Sequence, residues 1–209
     1  MRIAAISDLH GVLPALPACD LLLIAGDVCP IHDHRPEAQA VWLDGDFRRW
    51  LGQVSARQVI GIAGNHDFVF EQMPFLVPRD LPWTYLEDSA VVWEGLKIYG
   101  SPWQPWFLDW AFNAGPDELE AKWRLIPDDT DILLVHGPPR GYGDLTRQGN
   151  AVGCPHLLHR IQEVQPRLAV FGHIHEGRGE WQLGPTKLAN VTILDEDYRH
   201  LYPPWVVDL

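Results

Sequence analysis

The chain has 209 residues, 46% of them apolar, and a formal net charge of −12. One domain spanning 1–209 with a sizeable core suits that length. The excess of acid argues against a binder of nucleic-acid backbones, which presents a basic face. It does not argue against a phosphate substrate, because bound cations reverse the local field. Cys19, Cys29 and Cys154 show no CxxC spacing and read as small buried side chains in a reducing compartment. The N-terminus lacks an apolar signal region, and no run approaches the roughly 18 apolar residues of a membrane span. A soluble, cytoplasmic protein with no membrane partner is expected.

The apolar runs are short, and each ends in a polar motif. Ile3 to Ile6 leads to Asp8, and Leu21 to Ala25 leads to Gly26-Asp27. Between them, the interval from His10 to Asp20 holds two prolines and reads as a loop. A helix follows Pro36, with Leu43, Phe47, Trp50, Leu51 and Val54 at helical spacing. Val59 to Ala63 leads to Gly64-Asn65-His66-Asp67. The segment Thr84–Gly100 alternates and reads as a β-hairpin turning at Glu94-Gly95. Pro116-Asp117-Glu118 opens a second helix with an apolar face of Leu119, Trp123 and Ile126. Ile132 to Val135 leads to His136. A third helix begins near Pro155 and stops before Pro166. Leu168 to Phe171 leads to Gly172-His173-Ile174-His175. The tail from Trp181 to Val207 reads as further strands, with turns at Gly184-Pro185 and Tyr202-Pro203-Pro204.

Continuous apolar runs suit strands buried on both faces of an α/β protein. Open α/β sheets bind ligands at the carboxyl ends of their strands, where all five polar motifs fall. Asp8 and His10, two apart, share a side, as do His173 and His175. Asp27 follows a glycine in a tight turn. Asn65 offers a neutral oxygen beside His66, and the rigid Gly137-Pro138-Pro139 turn fixes the direction of His136. Each motif alone has an ordinary reading as a turn. Together they supply mixed N and O donors suited to Mn, Fe, Zn or Co. The donors are too many for one tetrahedral ion. They fit two ions sharing a bridging carboxylate, the arrangement used for in-line displacement at phosphorus.

Asp8-x-His10, Gly26-Asp27, Gly64-Asn65-His66-Asp67, His136 and Gly172-His173-x-His175 resemble the signature of the calcineurin-like metallophosphoesterases. That resemblance implies a four-layer α/β/β/α sandwich with a two-metal centre at the strand ends. It implies that Asp8, His10, Asp27 and His175 hold one ion. Asp27, Asn65, His136 and His173 then hold the other, so that Asp27 bridges. His66, supported by Asp67, would protonate the leaving group or orient the phosphate. Tyr99 to Trp106, His136-Gly-Pro-Pro139, Val152-Gly-Cys154 and Val170 to Gly177 resemble the metallophosphoesterase-domain-containing branch known from animal brain proteins. That branch is associated with weak metal-dependent phosphodiesterase activity and nucleotide binding. Some of its members carry Gly where this chain has His173.

The expected activity is hydrolysis of a phosphodiester, a cyclic nucleotide among the candidates, by a hydroxide bridging two divalent ions. The ions would be Mn, Fe, Zn, Co or Mg, with Mn favoured. A phosphomonoesterase, a phosphoprotein phosphatase or a nucleotide-binding scaffold of low activity are the alternatives. Asn65, His66 and Arg140 are the candidate substrate contacts, for a small phosphate ester or nucleotide. Arg147 and Arg178 also lie near motifs. His32-Asp33-His34 imitates a metal pair and reads as a solvated loop or a rim position. His156 and His159 read as surface residues, and His200 has no partner in sequence. The aromatic stretch Trp103 to Trp110 reads as a plug over the core, as a pocket wall that stacks on a base, or as a self-association surface.

Overall fold

The computed structural model describes residues 1–209. The five motif-bearing runs form β1 (Arg2–Ile6), β2 (Cys19–Ala25), β3 (Ala56–Ile62), β9 (Ile132–Val135) and β10 (Leu168–Phe171). The remaining strands are β4 (Thr84–Tyr85), β5 (Ser89–Trp93), β6 (Leu96–Ser101), β7 (Gln104–Pro105), β8 (Asn113–Ala114), β11 (Gly179–Leu183), β12 (Thr186–Asn190) and β13 (Trp205–Asp208). One sheet has the order β13-β1-β2-β3-β4 and the other β11-β12-β10-β9-β6-β5, while β7 and β8 form a small pair. β1, β2 and β3 run parallel, as do β6, β9, β10 and β12.

The sheets meet face to face. Ala5, Leu23 and Ile60 of the first pack with Ile98, Leu134 and Val170 of the second in one buried cluster. The opposite face of the first sheet, including Ile6, Leu22 and Ile24, is covered by Leu43, Phe47, Trp50 and Val69. The opposite face of the second, including Leu133, Val135 and Phe171, is covered by Leu119, Trp123, Leu157 and Ile161. These are the four layers of an α/β/β/α sandwich. Strands buried on both faces explain why the runs are continuously apolar rather than alternating.

The helices are α1 (Pro36–Trp42), α2 (Arg48–Leu51), α3 (Phe68–Gln72), α4 (Pro116–Trp123) and α5 (Pro155–Val164). The single helix expected after Pro36 is broken by a π-helical turn at Leu43–Phe47, and Val54 lies beyond its end. That turn contains Gly45, a poor helix former. It brings Leu43 and Phe47 onto the core beside Trp50 and Leu51. α4 starts where the Glu118 carboxylate accepts the Gly115 N–H at 2.9 Å. α5 starts at Cys154, whose sulfur accepts the Leu157 N–H, and ends at Gln165 in the left-handed region. Three free cysteines are present.

The hairpin is shorter than the alternation implies. It comprises β5 and β6, while Thr84–Tyr85 crosses to the first sheet and pairs parallel with β3. Trp83 closes the edge above Gly61, which accounts for the apolar residues in that stretch. In the tail, β13 returns to pair antiparallel with β1. No helix is long and apolar enough to cross a membrane.

Candidate metal centre

The parallel strands end on one rim, and the chain turns there in strained conformations. Asp8, His10, Asp27 and His173 all have positive φ, between 45° and 68°. Non-glycine residues persist in that region only where their surroundings hold them. Here the reason is crowding of polar groups. A Cβ on Gly64 would collide with the Asp27 carboxylate, and one on Gly172 with Ser7 and the Asp8 carboxylate. Glycine at these two places lets the ends of β1, β2, β3 and β10 converge on one pair of carboxylates.

Asp27 sits at the middle. Its Oδ2 is 3.5 Å from His10 Nε2 and 3.4 Å from His136 Nε2. Its Oδ1 accepts the His66 backbone N–H at 2.8 Å. On one side, His175 Nε2 lies 3.6 Å from Asp8 Oδ1. On the other, His136 Nε2 lies 2.8 Å from Asn65 Oδ1. Three overlapping buried groups result: Asp8, His10 and His175; His10, Asp27 and His66; Asp8, Asp27 and His136. In each, the donor atoms lie within 4.8 Å of one another.

Backbone carbonyls direct two of these imidazoles. His136 Nδ1 is 2.8 Å from the Ala25 oxygen, and His175 Nδ1 is 2.9 Å from the Asp195 oxygen. A carbonyl only accepts, so each Nδ1 carries a proton and each Nε2 faces the centre. His173 lies beside His136, with ring centroids 5.0 Å apart, and its backbone N–H donates to both Asp8 oxygens at 2.9 and 3.1 Å.

Both ring nitrogens of His10 and the Nδ2 of Asn65 are buried without a hydrogen-bond partner. Orphaned buried polar atoms cost about 1–3 kcal/mol each. Mixed imidazole, carboxylate and amide donors of this kind fit borderline divalent ions. Neighbouring groups set the charge of the buried imidazoles. Burial opposes charge on His136, yet the Asp27 carboxylate prevails and raises it to about 9. Burial likewise opposes charge on His175, and the facing Asp8 carboxylate raises it to about 9. His10, whose burial dominates, falls to about 3. Burial works against ionised Asp8, but His175 and His136 hold it down at about 2.

Asp67 corrects the sequence reading. It does not support the His66 ring. Its carboxylate accepts the backbone N–H groups of Cys29 (2.8 Å), Gly64 (2.8 Å) and Val28 (3.1 Å). It therefore ties the loop after β2 to the loop after β3. Burial and Asp27 raise its pKa to about 6 against those three donors. The His66 ring instead meets His34, Nδ1 to Nε2 at 3.2 Å, and Trp110, with centroids 4.3 Å apart. Buried Gln39 holds the same loop, donating to the His66 carbonyl at 2.7 Å and accepting the Val69 N–H at 2.9 Å. Neither His34 nor Gln39 shows in sequence as a site residue, although the His32-Asp33-His34 cluster hinted at the first.

Arg140 is not brought to the centre. It is exposed, and its guanidinium donates to the Ala151 carbonyl at 2.6 Å. The rigid turn after His136 carries it outward. Arg178 is used structurally, donating to the Thr192 and Pro203 carbonyls. Arg147 pairs with Glu196 at 3.2 Å. His159 pairs with Glu163 on an exposed helix face. The aromatic stretch divides between two of its expected roles. Trp103 packs on Phe112 and under Lys122, whereas Trp106, Phe107 and Trp110 wall the cavity over the His/Asp centre.

Comparison with known proteins decides the family. The calcineurin-like phosphoesterase model matches residues 1–177. The chain belongs to the calcineurin-like phosphoesterase family. It is 37% identical over 237 aligned positions to human metallophosphoesterase domain-containing protein 1, covering 100% of this chain and 71% of the relative. The phosphopantetheinyl hydrolase of Mycobacterium tuberculosis shares the fold at TM-score 0.60 and 16% identity, covering 94% of this chain and 90% of that one. A purple acid phosphatase from yellow lupin shares it at TM-score 0.52 and 14% identity, covering 91% of this chain and 43% of that one. This calcineurin-like phosphoesterase is a metal-dependent hydrolase of phosphate esters, with His/Asp clusters able to hold metal at its strand ends.

Proposed function

We propose that the protein is a dinuclear phosphodiesterase acting on a small phosphodiester, nucleotide esters included. The observation that carries this reading is Asp27 Oδ2, which lies between His10 and His136 and so joins two donor groups. Asp8, His10, Asp27 and His175 would hold one ion; Asp27, Asn65, His136 and His173 would hold the other. Two divalent cations bound there would withdraw charge from the phosphoryl oxygens and acidify the attacking water.

The protein's own groups do the rest. Asp27 and Asp8, buried and ionised, fix the charge of the centre. The Ala25 and Asp195 carbonyls orient His136 and His175. His66 lines the cavity with its Nδ1 turned to His34. A proton on His34 Nε2 donated to that nitrogen places the His66 proton on Nε2. There it is positioned to protonate a departing alcohol. Trp110 across the His66 ring and Tyr198 at 5.0 Å from the His10 ring restrict water at the centre. No Lys or Arg lines the cavity, which disfavours a polynucleotide chain as substrate.

The test is elemental analysis with a substrate panel. Mn-saturated protein should hold close to two ions per chain, roughly what eight ligand contacts provide. It should hydrolyse bis(p-nitrophenyl) phosphate faster than p-nitrophenyl phosphate, with 2′,3′- and 3′,5′-cyclic nucleotides assayed alongside. One ion per chain excludes the dinuclear reading. Faster turnover of the monoester makes the protein a phosphomonoesterase, and no turnover of any ester makes it a binding scaffold.

A further inference from the structure

The cavity over the His/Asp centre has a volume of about 260 Å³ and two chemically distinct ends. Its floor is the centre itself, which takes the phosphoryl group. Its walls are aromatic. Trp106 and Phe107 are 65% and 57% exposed, so their faces are free for a ligand. Trp110 packs across His66 and forms a T-shaped pair with Phe107, ring centroids 5.5 Å apart. Tyr198 also lines the cavity, 5.0 Å from the His10 ring and 5.1 Å from the His175 ring. Two carboxylates, Glu176 and Glu196, line the rim, and the one cation against them, Arg147, lies outside the lining.

The carboxylates differ. Glu196 is engaged by the Arg147 guanidinium at 3.2 Å. Glu176 accepts only a neutral donor, the Arg147 backbone N–H, at 2.9 Å, so its negative charge is not cancelled. It lines the same cavity as the centre. A rim of this kind repels a second phosphate, disfavouring nucleoside di- and triphosphates. A neutral nucleobase would stack on the aromatic walls but leave Glu176 without a counter-charge. A quaternary ammonium group uses both features. Aromatic faces attract it through their quadrupoles, and a carboxylate completes the cage.

We propose that this cavity selects zwitterionic phosphodiesters of the phosphocholine type, with the phosphate at the His/Asp centre and the trimethylammonium group between Trp106, Phe107, Tyr198 and Glu176. This deepens the phosphodiesterase reading and rests on it. The reaction itself is unchanged: water adds to phosphorus, the ester P–O bond breaks, and the departing alcohol takes a proton. The ammonium group is a handle for recognition and is not transformed.

Three p-nitrophenyl diesters share one leaving group and differ only in the retained alcohol: p-nitrophenylphosphorylcholine, ethyl p-nitrophenyl phosphate and thymidine 5′-(p-nitrophenyl phosphate). With Mn-loaded protein, kcat/KM for the choline ester should exceed that for the ethyl ester by about tenfold or more, the scale of a desolvated cation–π contact. Glu176→Gln, which keeps the acceptor for Arg147 but loses the charge, should cut that ratio at least threefold. Trp106→Ala should do the same. Calorimetric titration of the metal-loaded protein with phosphocholine and with ethyl phosphate reads the same preference without turnover. It separates this inference from the reading beneath it. Failure to hydrolyse any diester, including bis(p-nitrophenyl) phosphate, counts against the phosphodiesterase reading, while the binding ratio still decides the ammonium site. Equal affinity for phosphocholine and ethyl phosphate overturns the inference. A thymidine ester preferred over the choline ester overturns it too, in favour of a base-stacking pocket.

Discussion

His66 Nδ1 lies 3.2 Å from His34 Nε2. The two residues come from different loops, after β2 and after β3, and their rings also pack at 5.1 Å between centroids. Of two neutral imidazoles in such contact, one must donate and the other accept. His34→Ala removes the partner that fixes the His66 tautomer. Turnover should fall by roughly 10–100-fold, the range for loss of a group that orients a functional histidine. His34→Gln, which can still donate through its amide, should recover part of the loss. Metal content should not change in either variant. A His34→Ala protein with normal turnover would show that Trp110 alone holds the ring.

Removal of His66 itself separates proton donation from positioning. His66→Ala should lower turnover by roughly 10²–10⁴-fold if the ring is a general acid. The loss should shrink for p-nitrophenol esters, whose leaving group needs no proton. Equal losses with alkyl and nitrophenyl leaving groups would assign His66 to phosphate positioning.

Asp27 is shared between the two donor groups, so Asp27→Asn should impair both. Metal content and activity should fall together, activity by roughly 10³-fold given the several kcal/mol that a two-metal site supplies. Near-normal turnover with two ions per chain would remove Asp27 from the bridging position.

His173 stands at the wall beside His136 rather than inside the three tight donor groups. His173→Gly should weaken one ion and spare the other. Activity should be partly restored at high Mn by mass action on the weakened site. An unchanged metal requirement would mean that His173 is not a ligand.

Metal binding should release protons. In the metal-free protein, His136 and His175 titrate near 9, above their ordinary value of 6.5, so both are charged at neutral pH. Each must lose its proton to bind metal. About two protons per chain should therefore be released at pH 7 and close to none at pH 10. Calorimetry in buffers of different ionisation enthalpy measures the number. Apparent affinity should rise with pH up to about 9 and then level off. The sign reverses for the metal-free fold. There the raised histidines contribute stability that is complete below pH 6.5 and disappears as pH rises through about 9. Pulse proteolysis of the metal-free protein across that window would show no loss if the histidines were not charged.

The five motifs and their strand ends were legible because burial on both faces forces continuous apolar runs. The change from apolar to polar marks where each strand leaves the core. Ile6 to Asp8, Ala25 to Asp27 and Phe171 to His173 all show it. Spacing within a motif fixes which side chains share a side, as with His173 and His175. The mixed donors narrowed the chemistry, and resemblance then implied the family and the layers. What stayed hidden depends on contacts between segments distant in the chain. His34 meets His66 across 32 positions, and His175 is oriented by the carbonyl of Asp195, a group every residue type possesses. Asp67 stands next to His66 in sequence, yet its carboxylate turns to the amides of Val28, Cys29 and Gly64, because buried N–H groups compete for it. Arg140 follows a metal-site motif closely but is turned outward by the loop that fixes His136. Local pattern, set by burial and by backbone geometry, thus marked the strands, the rim and the candidate donors. Only the tertiary structure decided which neighbours orient them and which aromatic faces close over the site, since both follow from three-dimensional packing.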